Sequence, residues 1–194
     1  MGSYIEEFQE DREKKSDIVV TIDGPSGSGK GTLGEQIAEE LGIKHFSASD
    51  VFYAIAEERG ISHVELSKKA GKEVDLEVDR KTLERGLEND CVIDSRIASH
   101  VLGDYSDLKI FLTADLEERA ERIAEREGKD REEVLEETRE RDRENSRRYQ
   151  EYYGIDTSEK KIYDLLIDNT DMDIKEQQKL VEQLVDETNL EEKL

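Results

Sequence analysis

The sequence predicts an α/β fold, a parallel β-sheet with helices on both faces. Two observations carry that expectation. Short, β-branched apolar runs alternate with segments whose apolar residues recur at helical spacing. The first such run leads straight into a glycine-rich loop that opens a helix, so strand, loop and helix come in immediate succession.

Composition bounds the answer. At 194 residues the chain suits one compact domain, with a polar leader at 1–16 and a single domain over 17–194. Hydrophobic content of 34% and charged content of 41% lean toward disorder, but the apolar periodicity argues against it for the body. With 51 acidic against 29 basic residues, the formal charge is −22, which disfavours polyanionic partners such as nucleic acid. Two readings of the acidity stand, adaptation to concentrated salt and ordinary solvated Glu-rich helices, and the first is preferred. The lone Cys91 excludes an internal disulfide, and His45, His63 and His100 show no ligand spacing. No apolar run approaches membrane-spanning length and Met1–Lys15 is polar, so the expectation is a cytoplasmic protein, taken as a monomer. The polar leader is expected to be disordered.

The elements follow in order. Ile18–Ile22 reads as a buried strand. Leu33, Ile37 and Leu41, spaced four apart, make the next segment an amphipathic helix, stopped by Gly42. A weaker strand is expected at 43–46, and helices at 50–58, 63–69 and 76–87. Cys91–Asp94, Leu108–Leu112 and Tyr163–Asp168 read as further strands. Helices at 115–127, 131–152 and 174–187 separate or follow them.

The loop is Gly24-Pro25-Ser26-Gly27-Ser28-Gly29-Lys30-Gly31-Thr32. Gly24, Gly29 and Lys30 match the G-x-x-x-x-G-K core of a phosphate-binding P-loop, in the strand-to-helix setting that motif requires. Glycines let the backbone curl so that successive N–H groups face phosphate oxygens. The helix start adds its positive end, and Lys30 supplies a cation for the β- and γ-phosphates. The expected cofactors are therefore ATP and Mg2+. The residue after Lys30 is Gly31, and the hydroxyl comes at Thr32. Thr32 is thus a candidate magnesium ligand, with helix capping as its plainer role.

Asp94 ends an apolar strand and is followed by Ser95 and Arg96. In P-loop folds such an acid faces Mg2+, directly or through water, and Arg96 is placed to grip a phosphate with its guanidinium fork. The alternative is a helix-capping Asp and a surface Arg.

Nine of the 14 arginines fall between Arg119 and Arg148. Arg119, Arg122 and Arg126 share one helical face, and Arg141 and Arg148 share another. Glu118–Arg122, Glu137–Arg141 and Glu144–Arg148 fit surface pairing, each worth roughly 0.2–0.5 kcal/mol. The sharper reading is a lid that carries arginines to the transferring phosphoryl group, with Arg141 and Arg148 favoured and Arg122 and Arg126 next.

Taken together, Gly24–Thr32, Phe46–Phe52, Asp94–Ala98, Ala114–Glu127 and Arg148-Tyr149 through Tyr153-Gly154-Ile155-Asp156 to Leu165 resemble the archaeal-type cytidylate kinases, a P-loop nucleoside monophosphate kinase family. The resemblance covers about residues 17–170. It implies a five-stranded parallel sheet, a monophosphate-binding insert near 47–90 and a lid near 128–156. It also implies ATP- and Mg2+-dependent phosphorylation of CMP or dCMP, hence a place in pyrimidine nucleotide metabolism. Ser47, Asp79, Arg80 and Arg96 are candidate acceptor contacts; an N-cap and an exposed ion pair are the bland alternatives for Ser47 and the Asp79–Arg80 pair. The chain departs from the family at Tyr53, where an arginine is common, and at Ser95, where a glycine is common. Rival readings are a kinase for AMP or UMP, a nucleotide-gated ATPase switch and an inactive scaffold; intact Lys30 and Asp94 argue against the last.

Overall fold

The structure is a computed structural model and describes residues 4–62, 65–66 and 71–194. Five strands, β1 (Val19–Asp23), β2 (Lys44–Ser47), β3 (Cys91–Asp94), β4 (Leu108–Thr113) and β5 (Leu165–Asp168), form one sheet in the order β2-β3-β1-β4-β5. Every pairing is parallel. All five residues of β1 are buried, which is why it reads as a continuous apolar run rather than an alternation.

The helices are α1 (Tyr4–Gln9), α2 (Lys30–Leu41), α3 (Ala48–Glu58), α4 (Lys72–Glu88), α5 (Ala98–Leu102), α6 (Leu116–Glu127), α7 (Arg131–Tyr153) and α8 (Ile174–Thr188). Two apolar layers sandwich the sheet. On one face Val20 and Ile22 pack with Leu33 and Ile37 of α2 and Val181 and Leu184 of α8. On the other, Val19 and Ile93 pack with Leu83 of α4, Val101 of α5 and Tyr153 of α7. Helices α3 and α4 lie between β2 and β3 in the chain, and α6 and α7 between β4 and β5. Both pairs rise from the carboxyl ends of strands, where ligands bind in open α/β sheets.

The strand and helix expectations hold within a few residues, with two differences. The leader expected to be disordered carries α1, because Ile5 is buried and Tyr4 and Phe8 pack against the second apolar layer. Helix α5 was not expected; its five residues are too few to show a period. The helix expected over 63–69 lies largely outside the described residues. Among the described residues, no helix is long and apolar enough to cross a membrane.

Candidate active site

The glycine loop spans β1 and α2, and its shape is fixed by sterics. Gly24 and Gly27 have φ of 152° and 81°, in the region L side chains avoid. A Cβ on Gly24 would sit 2.0 Å from the Leu112 carbonyl oxygen, and one on Gly27 would sit 2.6 Å from that of Arg119. The loop therefore nestles against β4 and α6 with no room for a methyl group.

Side chains brace it from several directions. Arg119 is buried and donates through Nη1 to the Ser26 carbonyl (3.0 Å), through Nε to the Ala114 carbonyl (3.0 Å), and pairs with Asp142 of α7 at 2.8 Å. Asn169 Nδ2 donates to the Ser28 carbonyl at 2.9 Å. Arg122 in turn grips Asn169, at 3.0 Å to its side-chain oxygen and 2.9 Å to its carbonyl. Arg96 Nη2 donates to Ser26 Oγ at 2.9 Å. Beneath the loop, buried Asp23 accepts from the Ser99 backbone N–H and, at 3.0 Å, from the Tyr163 hydroxyl. Burial pushes the Asp23 carboxyl up to about 6.

Lys30 donates to the Pro25 carbonyl at 2.8 Å, a partner that a phosphate oxygen can replace. Burial lowers its ammonium to about 8, against the opposing pull of Asp94. Lys30, Asp94, Arg96 and Arg148 all line one cleft of about 470 Å³. Its far wall is α4, which contributes Asp75 and Asp79, and its floor includes Phe52 and Tyr53 of α3.

Asp94 is held by His45 of β2, whose Nε2 lies 2.8 Å from Asp94 Oδ2. A single hard carboxylate beside a phosphate loop fits Mg2+, which takes one or two protein carboxylates and completes its shell with phosphate oxygens and water. Thr32 is exposed in the first turn of α2 and does not line the cleft with Asp94.

Comparisons with known proteins place the chain in a family. Residues 19–171 match the model of the cytidylate kinase-like family. The chain belongs to that family. A cytidylate kinase from Haloarcula marismortui is 42% identical over 159 residues, covering 80% of this chain and 83% of that protein. One from Ignicoccus hospitalis is 42% identical over 151 residues, covering 77% and 88%. Among solved structures, a shikimate kinase from Bacteroides thetaiotaomicron has a TM-score of 0.59 at 16% identity, covering 89% of this chain and 98% of that one. That likeness shows the shared fold.

With membership of the cytidylate kinase-like family in hand, the expected acceptor contacts sort clearly. Asp79 and Arg96 line the cleft. Asp79 is buried, accepts from the Tyr153 hydroxyl, and is pushed by burial up to about 7. Ser47 instead caps α3, exchanging bonds with Asp50 at 3.0 Å each way. Arg80 is exposed and pairs with Glu84 one turn on at 3.1 Å. In both, the bland alternative prevails: the pattern fits a surface cap or pair, and neither side chain reaches the cleft.

The arginines of α6 and α7 sort as well. Arg148 enters the cleft and bonds Asp75 at 2.6 Å rather than Glu144, which pairs with Arg147. Arg141 is exposed on α7, away from the cleft. Arg122 makes its expected pair with Glu118 at 2.9 Å, but its fork is spent on Asn169. Arg126 pairs with Glu127 on the surface. The residues the sequence did not single out are Arg119, His45, Asp75 and Tyr153. Each works through a partner distant in sequence, so spacing carries no signal for them.

Proposed function

We propose that this chain transfers the γ-phosphoryl group of ATP to CMP or dCMP, giving CDP or dCDP. One observation carries the reading: the loop lysine, the strand acid and two arginines from separate elements converge on one cleft, opposite a wall bearing the half-buried Asp75 and the buried Asp79. Three cations fit two anionic substrates held in line, and Asp79 fits an acceptor that presents a donor group.

Each residue then has a role. The N–H groups of Gly24–Thr32 cradle the donor phosphates, and Lys30 neutralises charge on the transferring group. Arg96 and Arg148 grip the acceptor phosphate and the γ-phosphoryl oxygens. Arg141, two helical turns before Arg148, reaches the site only if the lid closes. Arg122 and Arg119 position the loop. Asp94, with Thr32 as a more distant candidate, would hold Mg2+, which supplies charge neutralisation on the phosphates when bound. An oxygen of the acceptor phosphate attacks the γ-phosphorus as the bond to the β–γ bridging oxygen breaks, releasing ADP. This needs positioning and charge stabilisation more than a general base.

Asp79 faces the acceptor base, and the acceptor phosphate is left to the guanidinium groups of Arg96 and Arg148. A carboxyl oxygen accepts from the exocyclic amine of cytosine, a donor that uracil lacks. The substrates are small nucleotides and the chain acts as a cytoplasmic monomer.

The test is ATP-dependent phosphorylation of CMP, dCMP, UMP, AMP and GMP at low and at molar KCl. Rapid CDP and dCDP formation with weak AMP turnover supports the reading. Dominant AMP or UMP turnover overturns the acceptor assignment, and ATP hydrolysis with no acceptor used overturns the kinase reading.

A further inference from the structure

The leader lies outside the residues matched by the family model, which begin at 19. It is nevertheless built into the body. Ile5 is buried in the apolar cluster that holds Leu83 and Leu87 of α4, Val101 of α5 and Tyr153 of α7. Gln9 Nε2 donates to the Val101 carbonyl at 2.8 Å, and the Tyr105 hydroxyl donates to the Arg12 carbonyl at 3.0 Å. The chain then zips onto the end of α4. The Lys15 and Ser16 N–H groups both donate to the Leu87 carbonyl, at 2.8 and 3.1 Å, and Ser16 Oγ donates to the Gly86 carbonyl at 2.7 Å.

At the other end of α4 stands Lys72, its first residue. Its ammonium lies 4.5 Å from the centre of the Tyr4 ring and 5.1 Å from that of Tyr152 on α7. One cation thus joins leader, acceptor wall and lid helix. Lys72, Asp75 and Asp79 share a face of α4, and meet Tyr152, Arg148 and Tyr153 of α7. The leader therefore holds α4 at both ends, while the carboxyl groups that face the cleft lie between.

We infer that residues 4–16 are a strap that positions α4 against α7 and so sets the affinity for the acceptor nucleotide. This rests on the reading of α4 as the acceptor wall. The donor loop is braced by Arg119, Asn169 and Arg96, and among the described residues no hydrogen bond or ion pair joins these to residues 4–16. Loosening the strap should therefore move one substrate and spare the other.

The experiment is full-chain kinetics of the double variant Ile5→Ala/Phe8→Ala, with Ile5→Val as the conservative control. The KM for CMP should rise about 5- to 20-fold, within what an ångström-scale misplacement can cost. The KM for ATP and kcat at saturating CMP should stay within about twofold, and Ile5→Val should behave as the unaltered chain. An unmoved CMP KM in the folded double variant overturns the strap, as does a parallel change in both KM values. Should the double variant not fold, Lys72→Met decides. A rise of about threefold or more in CMP KM alone supports the strap, and none overturns it. The acceptor panel on the unaltered chain separates the two ideas. If another monophosphate is preferred, its KM is the one read. If none is used, the functional reading fails and the strap falls with it; turnover with unmoved KM values in the variants sinks the strap alone.

Discussion

His45 Nε2 lies 2.8 Å from Asp94 Oδ2, tying β2 to β3 at the carboxyl edge of the sheet. The contact exists because residue 34 of α2 is glycine. A Cβ there would meet His45 Nε2 at 2.6 Å. Gly34→Ala should push the imidazole away and leave Asp94 unheld. A side chain that hydrogen-bonds a metal-binding group is typically worth about 10- to 100-fold in metal affinity. The expected result is a rise of that order in the Mg2+ concentration for half-maximal activity, with about 1–3 kcal/mol of overpacking cost. Magnesium titrations and thermal melts of Gly34→Ala and His45→Ala check it. The two should share the magnesium shift, and only the first should carry the overpacking penalty.

Lys30→Met should keep the fold and lose the chemistry. Among the described residues the ammonium hydrogen-bonds one loop carbonyl, so its removal leaves few structural bonds broken. Removing one preorganised stabiliser of transition-state charge costs about 10²–10³ in kcat. Single-turnover kinetics alongside circular dichroism check this. A variant that keeps near-full kcat would remove Lys30 from the mechanism.

Arg119→Met should behave in the opposite way. Arg119 is buried and bonds two carbonyls and Asp142, joining loop, α6 and α7. Its three charge-assisted hydrogen bonds are worth about 1.5–3 kcal/mol each. For a chain of this size their loss lowers Tm by roughly 10 °C or more. Because Ser26 loses its anchor, ATP affinity should fall with stability. Calorimetric melts and ATP binding isotherms read both.

The legible parts of this molecule are those where local pattern and tertiary role coincide. Ile18–Ile22, the glycine loop and Leu33–Leu41 declare strand, loop and helix because their neighbours in sequence are also their neighbours in space. Asp94 and Arg96 follow from their place at a strand end, and both line the cleft. Helix α1 was hidden because its apolar residues sit in a polar leader and are buried only by α4, α5 and α7. Arg119 looked like its helical neighbours Arg122 and Arg126. What distinguishes it is the Ser26 carbonyl, 93 residues away. Ser47 and Arg80 differ from Asp94 and Arg96 in having local partners, Asp50 and Glu84, and in not lining the cleft.

The last prediction concerns pH. Burial raises Asp79 from 3.8 to about 7, while the unfolded chain ionises it near its ordinary value. Between those values the native state holds a proton that the unfolded state has lost. Stability from this group is therefore full below about pH 4 and is lost as pH rises through about 7. A gap of about three pKa units corresponds to at most about 4 kcal/mol. Asp23, raised to about 6, acts in the same direction over a narrower window. Repulsion among surface carboxylates also eases in acid, so the measurement is a difference between variants in molar KCl, where that repulsion is screened. Asp79→Asn should melt slightly above the unaltered chain at pH 5 and several degrees further above it at pH 8. The same substitution keeps an acceptor for the Tyr153 hydroxyl but places an amide opposite the base, so the KM for CMP should rise. A residue that costs stability at working pH and strengthens acceptor binding belongs to the site. Equal melting differences at both pH values would remove the ionisation argument, and an unchanged CMP KM would remove Asp79 from the acceptor wall.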